Sequence, residues 1–351
     1  MTWLAWRQFR TSALVVALVL VAIALLYVVT GPTLLHLFDA YVKPCHAHGD
    51  CNSVISSFLV KDRLRKTVSK LLIFFPLLLG MFWGAPLVAR EMETGTFRLS
   101  WTQSVTRRRW FATRVGMVVL ASMVATGLLS LIITRWSRPF DSIVHFPFGT
   151  FDIRNIVPIG YAAFAVMLGV ATGALFRRTI PAMGVTLAIF AFIRYFVTDW
   201  VRTQLESAIR VTTKFAGTVS NGGQSISRGV GQGLHRGDWV ISNTVVNKAG
   251  QAVLSNGNIG FQHLADDKTE FLGVGVCPNT FPARHLGGTP ASSAATKAFQ
   301  KCIDSFHLRN ILTYQPAGRY WLFQWEEMAI FLALAVMLGF FSYWWIRRRV
   351  T

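Results

Sequence analysis

A dense charged segment between two long apolar runs holds the side chains best suited to receive force from a soluble partner. Carboxylates and guanidinium groups can form salt bridges with such a partner, and a Gly-Thr pair can turn or cap a short helix. The residues concerned are Arg90, Glu91, Glu93, Gly95, Thr96, Arg98, Arg107, Arg108 and Arg109. We interpret residues 90–114 as a cytoplasmic coupling segment. The alternative is a solvated loop whose arginines only fix topology, but topology alone would not require the two acids.

Ionisable side chains also occur near the ends of two other apolar runs. Arg194 falls late in one run, where a charge is costly unless it faces protein, water or a partner. It is a candidate for lining a translocation path, and snorkelling to the interface is the alternative. Asp199 is a second candidate for the path or could simply pair with Arg194, and Arg202 is expected at the membrane interface. Glu326 and Glu327, at the start of the last run, could bind a cationic substrate on that path or only neutralise Arg194.

The four cysteines lie in two polar connections. Cysteines confined to one predicted face indicate disulfides in an oxidising compartment. Three pairings are open, and we favour Cys45–Cys51 and Cys277–Cys302 because these pairs close short loops. The first pair also brackets two histidines, so a zinc or copper site is the alternative. Since the spacing matches none of the usual zinc motifs, we predict no metal there.

Motifs of common enzymes are absent from the sequence. The chain has no Gly-x-x-x-x-Gly-Lys-Ser/Thr loop and therefore cannot hydrolyse ATP by the P-loop route. It also lacks His-Glu-x-x-His and Gly-x-Ser-x-Gly. We predict no catalytic residues and no cofactor bound by this chain. A membrane-embedded hydrolase would need a nucleophile and base assembled across loops.

Composition places the chain among integral membrane proteins. Hydrophobic residues make up 52% of the sequence and charged residues only 15%, which excludes an ordinary soluble globule. Six apolar segments are near the length that spans a bilayer: residues 13–30, 71–89, 115–134, 156–176, 180–198 and 328–346. We predict an all-α membrane protein with six transmembrane helices. An even number places both termini on the same side.

The distribution of Lys and Arg indicates which side that is. With both termini in the cytoplasm, the cytoplasmic pieces hold 13 basic residues in 45 positions, against 21 in 190 positions on the other face. The denser face is expected to be cytoplasmic. Five basic residues within 61–70 resist this assignment, and we interpret residues 53–70 as an amphipathic helix on the outer headgroups. The net charge of +19 thus indicates contact with anionic lipid and no nucleic acid.

The chain divides into four predicted regions. Residues 1–12 form an interfacial elbow helix carrying Trp3, Trp6, Arg7 and Arg10, with an ordinary aromatic belt as the alternative. Residues 13–200 contain transmembrane helices 1–5, and residues 323–351 contain helix 6 and a cytoplasmic tail. The polar, Gly-rich region between helices 5 and 6, residues 201–322, is predicted to be a mixed extracytoplasmic domain. Within it we predict strands at 238–243 and 251–255 and a helix at 291–306.

Several of these segments resemble the permease subunits of ABC-2 type transporters. Residues 90–96, Arg-Glu-Met-Glu-Thr-Gly-Thr, and residues 103–108 are similar to the segment that follows the second span in that family. Val105 stands where proline is common, a minor departure. Residues 314–327 and 344–349 look like the closing segment of actinobacterial permeases. The resemblance covers both ends of the chain and assigns no motif to the extracytoplasmic region.

The resemblance implies a multi-pass protein of a bacterial cell membrane that forms a dimeric pore with a second permease copy or homologue. Two separate P-loop ATPase subunits would bind ATP and Mg and drive alternating access through the coupling segment. It also implies export of a hydrophobic or amphipathic substrate, because members of the family mostly export. The alternative is a non-transporting membrane scaffold that transmits ATPase motion to an extracytoplasmic partner.

Overall fold

The computed structural model describes residues 2–37, 71–94, 107–141, 147–214, 217–220, 225–228, 237–246, 252–255, 301, 307 and 309–349. The chain forms two compact units. One contains residues 1–205 and 320–351, and the other contains residues 206–319. The preferred disulfide pairs Cys45–Cys51 and Cys277–Cys302 fall outside the described residues.

The first unit is helical. Its elements are α1 (Thr2–Leu37), α2 (Phe75–Leu79), a π-helical turn (Gly80–Gly84), α3 (Ala85–Thr94), α4 (Arg107–Asp141), a 3₁₀ segment (Pro147–Ile153), α5 (Val157–Phe176), α6 (Thr179–Phe196), a second π-helical turn (Val197–Val201), α7 (Arg202–Leu205) and α8 (Tyr320–Arg349). The predicted elbow is not a separate helix, because α1 continues without a break from its first turn into the apolar run.

Five stretches within the described residues are long and apolar enough to cross a membrane: Arg10–Thr30, Phe111–Arg135, Val157–Phe176, Thr179–Leu205 and Ala317–Arg348. The chain is therefore a multi-pass membrane protein that is mostly helical. The predicted span at 71–89 is helical from Phe75 onward but is divided by the first π-helical turn, and it is not among the five. A sixth span stays a prediction.

Helix α5 forms the core of the first unit. Nearly every residue from Val157 to Ala174 is buried. This is expected of a helix that is apolar all round and enclosed by other helices. It packs against α3, α4, α6 and α8. The surrounding helices expose large apolar side chains, including Leu18, Val29 and Ile180. A bilayer, in which apolar side chains need no further cover, accounts for that surface.

Glycines bring α5 and the α2–α3 segment into backbone contact. Gly80 and Gly84 are four residues apart on one helix, and Gly169 and Gly173 are four apart on the other. A Cβ on Gly84 would lie 2.5 Å from a carbonyl oxygen of α5, and one on Gly173 would lie 2.6 Å from a carbonyl oxygen of α3. Small residues at this spacing allow membrane helices to approach closely. The contact therefore requires glycine at these positions.

The second unit contains two antiparallel sheets. A four-stranded sheet has the order β1-β6-β4-β5, and a two-stranded sheet pairs β2 with β3. The strands are β1 (Ile209–Lys214), β2 (Gly217–Ser220), β3 (Ser225–Arg228), β4 (Trp239–Val246), β5 (Ala252–Ser255) and β6 (Arg309–Gln315). Strands β4 and β5 confirm the two predicted strands. The predicted helix at 291–306 lies outside the described residues except for Lys301.

The entry and exit of the second unit are held together. Strands β1 and β6 pair antiparallel along their full length. The amide of buried Gln315 donates to the Glu206 carbonyl at 2.7 Å, and Arg319 donates to the Ser207 carbonyl at 2.7 Å. The first and last segments of the second unit are therefore joined to each other by hydrogen bonds.

Candidate functional site

Five side chains of the helical unit form what we call the buried ionic cluster: Asp152, Tyr161, Arg194, Arg202 and Glu327. They come from four separate parts of the chain. Asp152 lies in the 3₁₀ segment, and Tyr161 lies on the second turn of α5. Arg194 and Arg202 flank the second π-helical turn. Glu327 is two turns into α8, and its side chain is completely buried.

A bidentate ion pair joins Arg202 to Glu327. Arg202 Nε lies 2.7 Å from Glu327 Oε2, and Arg202 Nη2 lies 3.0 Å from Glu327 Oε1. Arg202 Nη2 also donates to Asp152, and the guanidinium carbon lies 4.4 Å from the centre of the Phe151 ring. Planar guanidinium groups favour this paired geometry with carboxylates. Arg202 was expected at the interface, but these contacts hold it in the interior.

Tyr161 is shared between the two carboxylates. Its hydroxyl oxygen lies 2.5 Å from Glu327 Oε1 and 3.2 Å from Asp152 Oδ1. Burial would raise the pKa of Asp152, but the charges of Arg194 and Arg202 and the hydrogen bonds from Arg202 and Tyr161 outweigh that effect. The pKa of Asp152 is therefore lowered, and the carboxylate is the stable form.

Arg194 pairs with Asp152 rather than with Asp199. Its Nη2 lies 3.3 Å from Asp152 Oδ1, and its guanidinium carbon lies 3.8 Å from the centre of the Tyr161 ring. Asp199 is exposed on the second π-helical turn. The two arginines and two carboxylates balance in charge, so the interior contains a neutral set.

The second π-helical turn helps to place both arginines on one side of the helix. In an unbroken α-helix, residues eight positions apart point about 80° away from each other around the axis. The wider turn at Val197–Val201 rotates the chain less per residue and so reduces that difference between Arg194 and Arg202. Such turns are frequent at functional sites.

A layer of uncharged polar groups holds the cluster in place. The buried Gln324 side chain accepts from the backbone N–H groups of Ile156 and Val157 at 3.2 and 3.0 Å, which satisfies donors at the start of α5. Asn155 donates to the Tyr320 hydroxyl at 2.8 Å. The start of α5 is therefore fixed to α8 by hydrogen bonds as well as by charge.

The cluster contains two of the four residues predicted for the translocation path, Arg194 and Glu327. Both carboxylate oxygens of Glu327 are already engaged, and Arg202 rather than Arg194 is the cation they neutralise. Glu326 is partly buried beside it on α8. A role for any of these residues in translocation stays a prediction.

Sequence reasoning did not find Asp152 or Tyr161, and it placed Arg202 at the membrane interface without a partner. The sequence contained one signal for this cluster. Asp152, Arg202 and Glu327 each lie where an apolar run begins or ends, and all three ends face the same predicted side of the membrane. Opposite charges at the same end of neighbouring spans are expected to pair.

Side chains in the described part of the coupling segment join α3 to two other helices, α4 and α6. Glu91, on α3, forms an ion pair with Arg114, on α4, and both side chains are mostly buried. Glu93 accepts a hydrogen bond from the Thr179 hydroxyl, at the start of α6, at 2.7 Å. The two acids therefore act within the chain, joining α3 to α4 and α6.

The remaining predicted coupling and elbow residues are placed only in part. Arg90, at the end of α3, and Arg108, near the start of α4, are exposed. Arg107 is the first residue of α4, whereas Gly95, Thr96 and Arg98 lie outside the described residues. On α1, Arg7 and Arg10 are exposed, and Trp3 and Trp6 belong to its first turns.

The cluster and the coupling contacts lie at opposite ends of α5. Tyr161 joins the cluster near its first residue, whereas Gly173, near its last, contacts the backbone of α3. A helix of this length extends about 30 Å, comparable to the hydrocarbon core of a bilayer. Within the described residues, no group of His, Cys, Asp and Glu side chains is arranged to hold a metal ion.

Comparison with known proteins gives one match. Residues 17–202 match the family model described as ABC-2 membrane transporter related. The matched region contains α2 to α6 and four members of the cluster, Asp152, Tyr161, Arg194 and Arg202, but not Glu327. No curated protein and no solved structure matches the chain.

Proposed function

The chain belongs to the ABC-2 membrane transporter related family, whose matched region covers more than half of it, and we propose on that basis that it is the permease subunit of an ATP-binding cassette exporter. A separate P-loop ATPase subunit binds ATP and Mg and supplies the energy. The permease moves a hydrophobic or amphipathic substrate out of the cytoplasm or inner leaflet by alternating access. Members of the family generally work with such an ATP-binding subunit.

The observation that carries this proposal is the pair of contacts made by the two acids at the end of α3. The Glu91–Arg114 ion pair joins α3 to α4 near the connection between these helices, and the Glu93–Thr179 hydrogen bond joins α3 to α6. A force that a soluble subunit applies to the connection between α3 and α4 would therefore move α3, α4 and α6 together. Exposed arginines at the same ends, such as Arg90 and Arg108, offer contacts to a soluble subunit.

The glycine contact extends this connection to α5. Because α3 and α5 touch through backbone atoms, with no long side chains to absorb displacement, movement of α3 is passed on to α5. Helix α5 in turn reaches the buried ionic cluster through Tyr161. The proposal therefore has a continuous packed route from the coupling segment to the other end of the unit.

Helix directions support the sixth span, which would place both termini on the same side of the membrane. Successive contacts of the first π-helical turn and α3 with α5 run from Gly84–Val166 to Ala89–Gly173, so α3 and α5 point the same way. Helix α4 points the opposite way, since Arg114, near its start, pairs with Glu91 in the second half of α3, whereas Ser130, in its own second half, donates to the carbonyl of Asn155, just before α5. Alternation of this kind fits a polypeptide in which residues 71–94 cross the membrane between α1 and α4. The transport unit would then be completed by a second permease subunit.

A charge exchange tests whether the coupling segment works as proposed. In the permease–ATPase complex reconstituted in lipid, Glu91→Arg should lower ATP hydrolysis by about 5-fold or more, because like charges then separate α3 from α4. The double variant Glu91→Arg/Arg114→Glu, which can re-form the pair with reversed charges, should restore most of that activity. ATP hydrolysis by the two variants and the unmodified complex is the measurement.

Lys214→Glu is a matched control, because it makes a charge change of the same size at an exposed position outside the coupling segment and the predicted path. It should leave ATP hydrolysis unchanged. Equal activity of the unmodified complex and Glu91→Arg would contradict the proposed coupling. Failure of the double variant to recover, with normal folding and assembly, would show that Glu91 does not act through Arg114.

A further inference from the structure

The buried ionic cluster occupies the end of the helical unit farthest from the coupling segment. It joins the 3₁₀ segment, α5, the α6–α7 region and α8 through contacts of Asp152, Tyr161, Arg202 and Glu327. Any movement that separates these segments at this end has to break those contacts. We propose that the cluster is the gate on the release side of the exporter, closed in this structure and broken in each ATP-driven cycle. This inference rests on the proposed transport function.

The chemistry of the cluster suits a contact that must open and close. A buried ion pair adds little net stability compared with apolar residues of similar size, since desolvation offsets the attraction. What the ion pair provides is two well-defined arrangements, one closed and one open. When Arg202 and Glu327 are together they neutralise each other, and when water enters each can be hydrated separately. An apolar contact has no such second arrangement, because its exposure to water is opposed throughout.

The backbone is also better able to move here than at the other end of α5. Arg202 directly follows a π-helical turn, and Asp152 lies in a 3₁₀ segment, so both are carried by segments with weaker hydrogen-bond geometry than an α-helix. The opposite end of α5 is fixed at Gly173 by backbone contact with Ala85 and Ala89, which belong to the regular α-helix α3. Movement delivered through α5 is therefore expected to separate the cluster before it separates the Gly173 contact.

A narrow pocket lies beside the cluster. Its lining is mostly apolar, and Thr126 and Ser130 of α4 and Asp152 supply its polar groups. Thr126 is buried, and its hydroxyl has no hydrogen-bond partner among the described residues. A side chain at this position would become accessible when Asp152 and Arg202 move apart, which makes it a suitable reporter of opening.

The test uses Thr126→Cys in the permease–ATPase complex, labelled with a membrane-impermeant maleimide with and without ATP. We expect ATP to raise the labelling rate about tenfold, because an open state populated at about 10% or less becomes the major one. Adding Arg202→Met/Glu327→Leu should preserve folding but abolish the increase, since the apolar pair does not separate. The complex without Thr126→Cys gives the background from the native cysteines. Ser122→Cys, one turn away on α4 and fully buried, should show no increase.

Three results would overturn the gate. These are labelling of Thr126→Cys that is independent of ATP, an unchanged ATP-dependent increase in the apolar double variant, or an equal increase at Ser122→Cys. All three require that the complex hydrolyses ATP, which is measured in the same samples. If no ATPase associates with the chain, the proposed function itself fails, so the two failures are distinguishable.

Discussion

Replacement of Glu327 by Ala is expected to destabilise the helical unit by about 3–5 kcal/mol, because it leaves Arg202 buried without its bidentate partner. Glu327 is completely buried, and both of its oxygens are engaged. The exposed acid Asp199 gives a matched control, and Asp199→Ala should change stability by less than about 0.5 kcal/mol. Loss of monodisperse protein on heating in detergent, followed by size-exclusion chromatography, is the measurement.

A double variant separates the cost of an orphaned charge from the cost of a smaller side chain. Arg202→Met/Glu327→Leu removes both charges and keeps most of the volume, so Asp152 and Arg194 remain as a neutral pair. The double variant should be more stable than Arg202→Met alone or Glu327→Leu alone, because it leaves no unpaired charge in the interior. Equal heat resistance of Glu327→Ala and Asp199→Ala would show that the cluster does not form in the protein.

The second large effect is expected at the glycine contact. A Cβ at Gly84 would come within 2.5 Å of the Val166 carbonyl oxygen, so Gly84→Ala must push α5 away from the π-helical turn. Overpacking of this kind costs about 1–3 kcal/mol. Gly84→Ala should therefore lower the midpoint of heat denaturation in detergent and weaken ATP-dependent coupling, because both depend on the same contact.

Two other helical glycines provide the control for this substitution. A Cβ at Gly116, on α4, or at Gly184, on α6, would meet no atom within 4 Å. Alanine is the better helix former, so Gly116→Ala and Gly184→Ala should be neutral or stabilise by up to about 1 kcal/mol. If Gly84→Ala is as stable as these two variants, the close approach of α3 and α5 is not a feature of the folded protein.

The positions of the spans could be predicted closely because long apolar runs carry a strong signal. The predicted run at 156–176 became α5, which begins at Val157 and ends at Phe176. The run at 180–198 became α6 and the second π-helical turn. The continuity of α1 was not predicted, because the aromatic and basic residues at 3–10 fit an interfacial helix as well as the first turns of a span. The division at Gly80–Gly84 was not predicted, because a π-helical turn leaves the apolar pattern nearly unchanged.

The cluster was harder to predict because its partners are distant in sequence. Tyr161 and Glu327 are separated by 166 positions, and Tyr161 lies inside an apolar run where it resembles a core aromatic. Glu91 presents the converse case. It was predicted to be a coupling residue from its charge, but its partner Arg114 lies within the next helix and could be identified only from the packing of α3 against α4. Residue type indicates that a charge needs a partner, and three-dimensional contacts decide which partner it has.

The most direct test of the proposed function is purification of the tagged chain from its native membrane in mild detergent, with mass spectrometry of the proteins that accompany it. We expect a P-loop ATPase subunit to be recovered with the chain, because this chain has no ATP-binding loop of its own. Recovery of the chain alone, or only with a partner that binds residues 206–319, would contradict the permease assignment and favour a membrane scaffold.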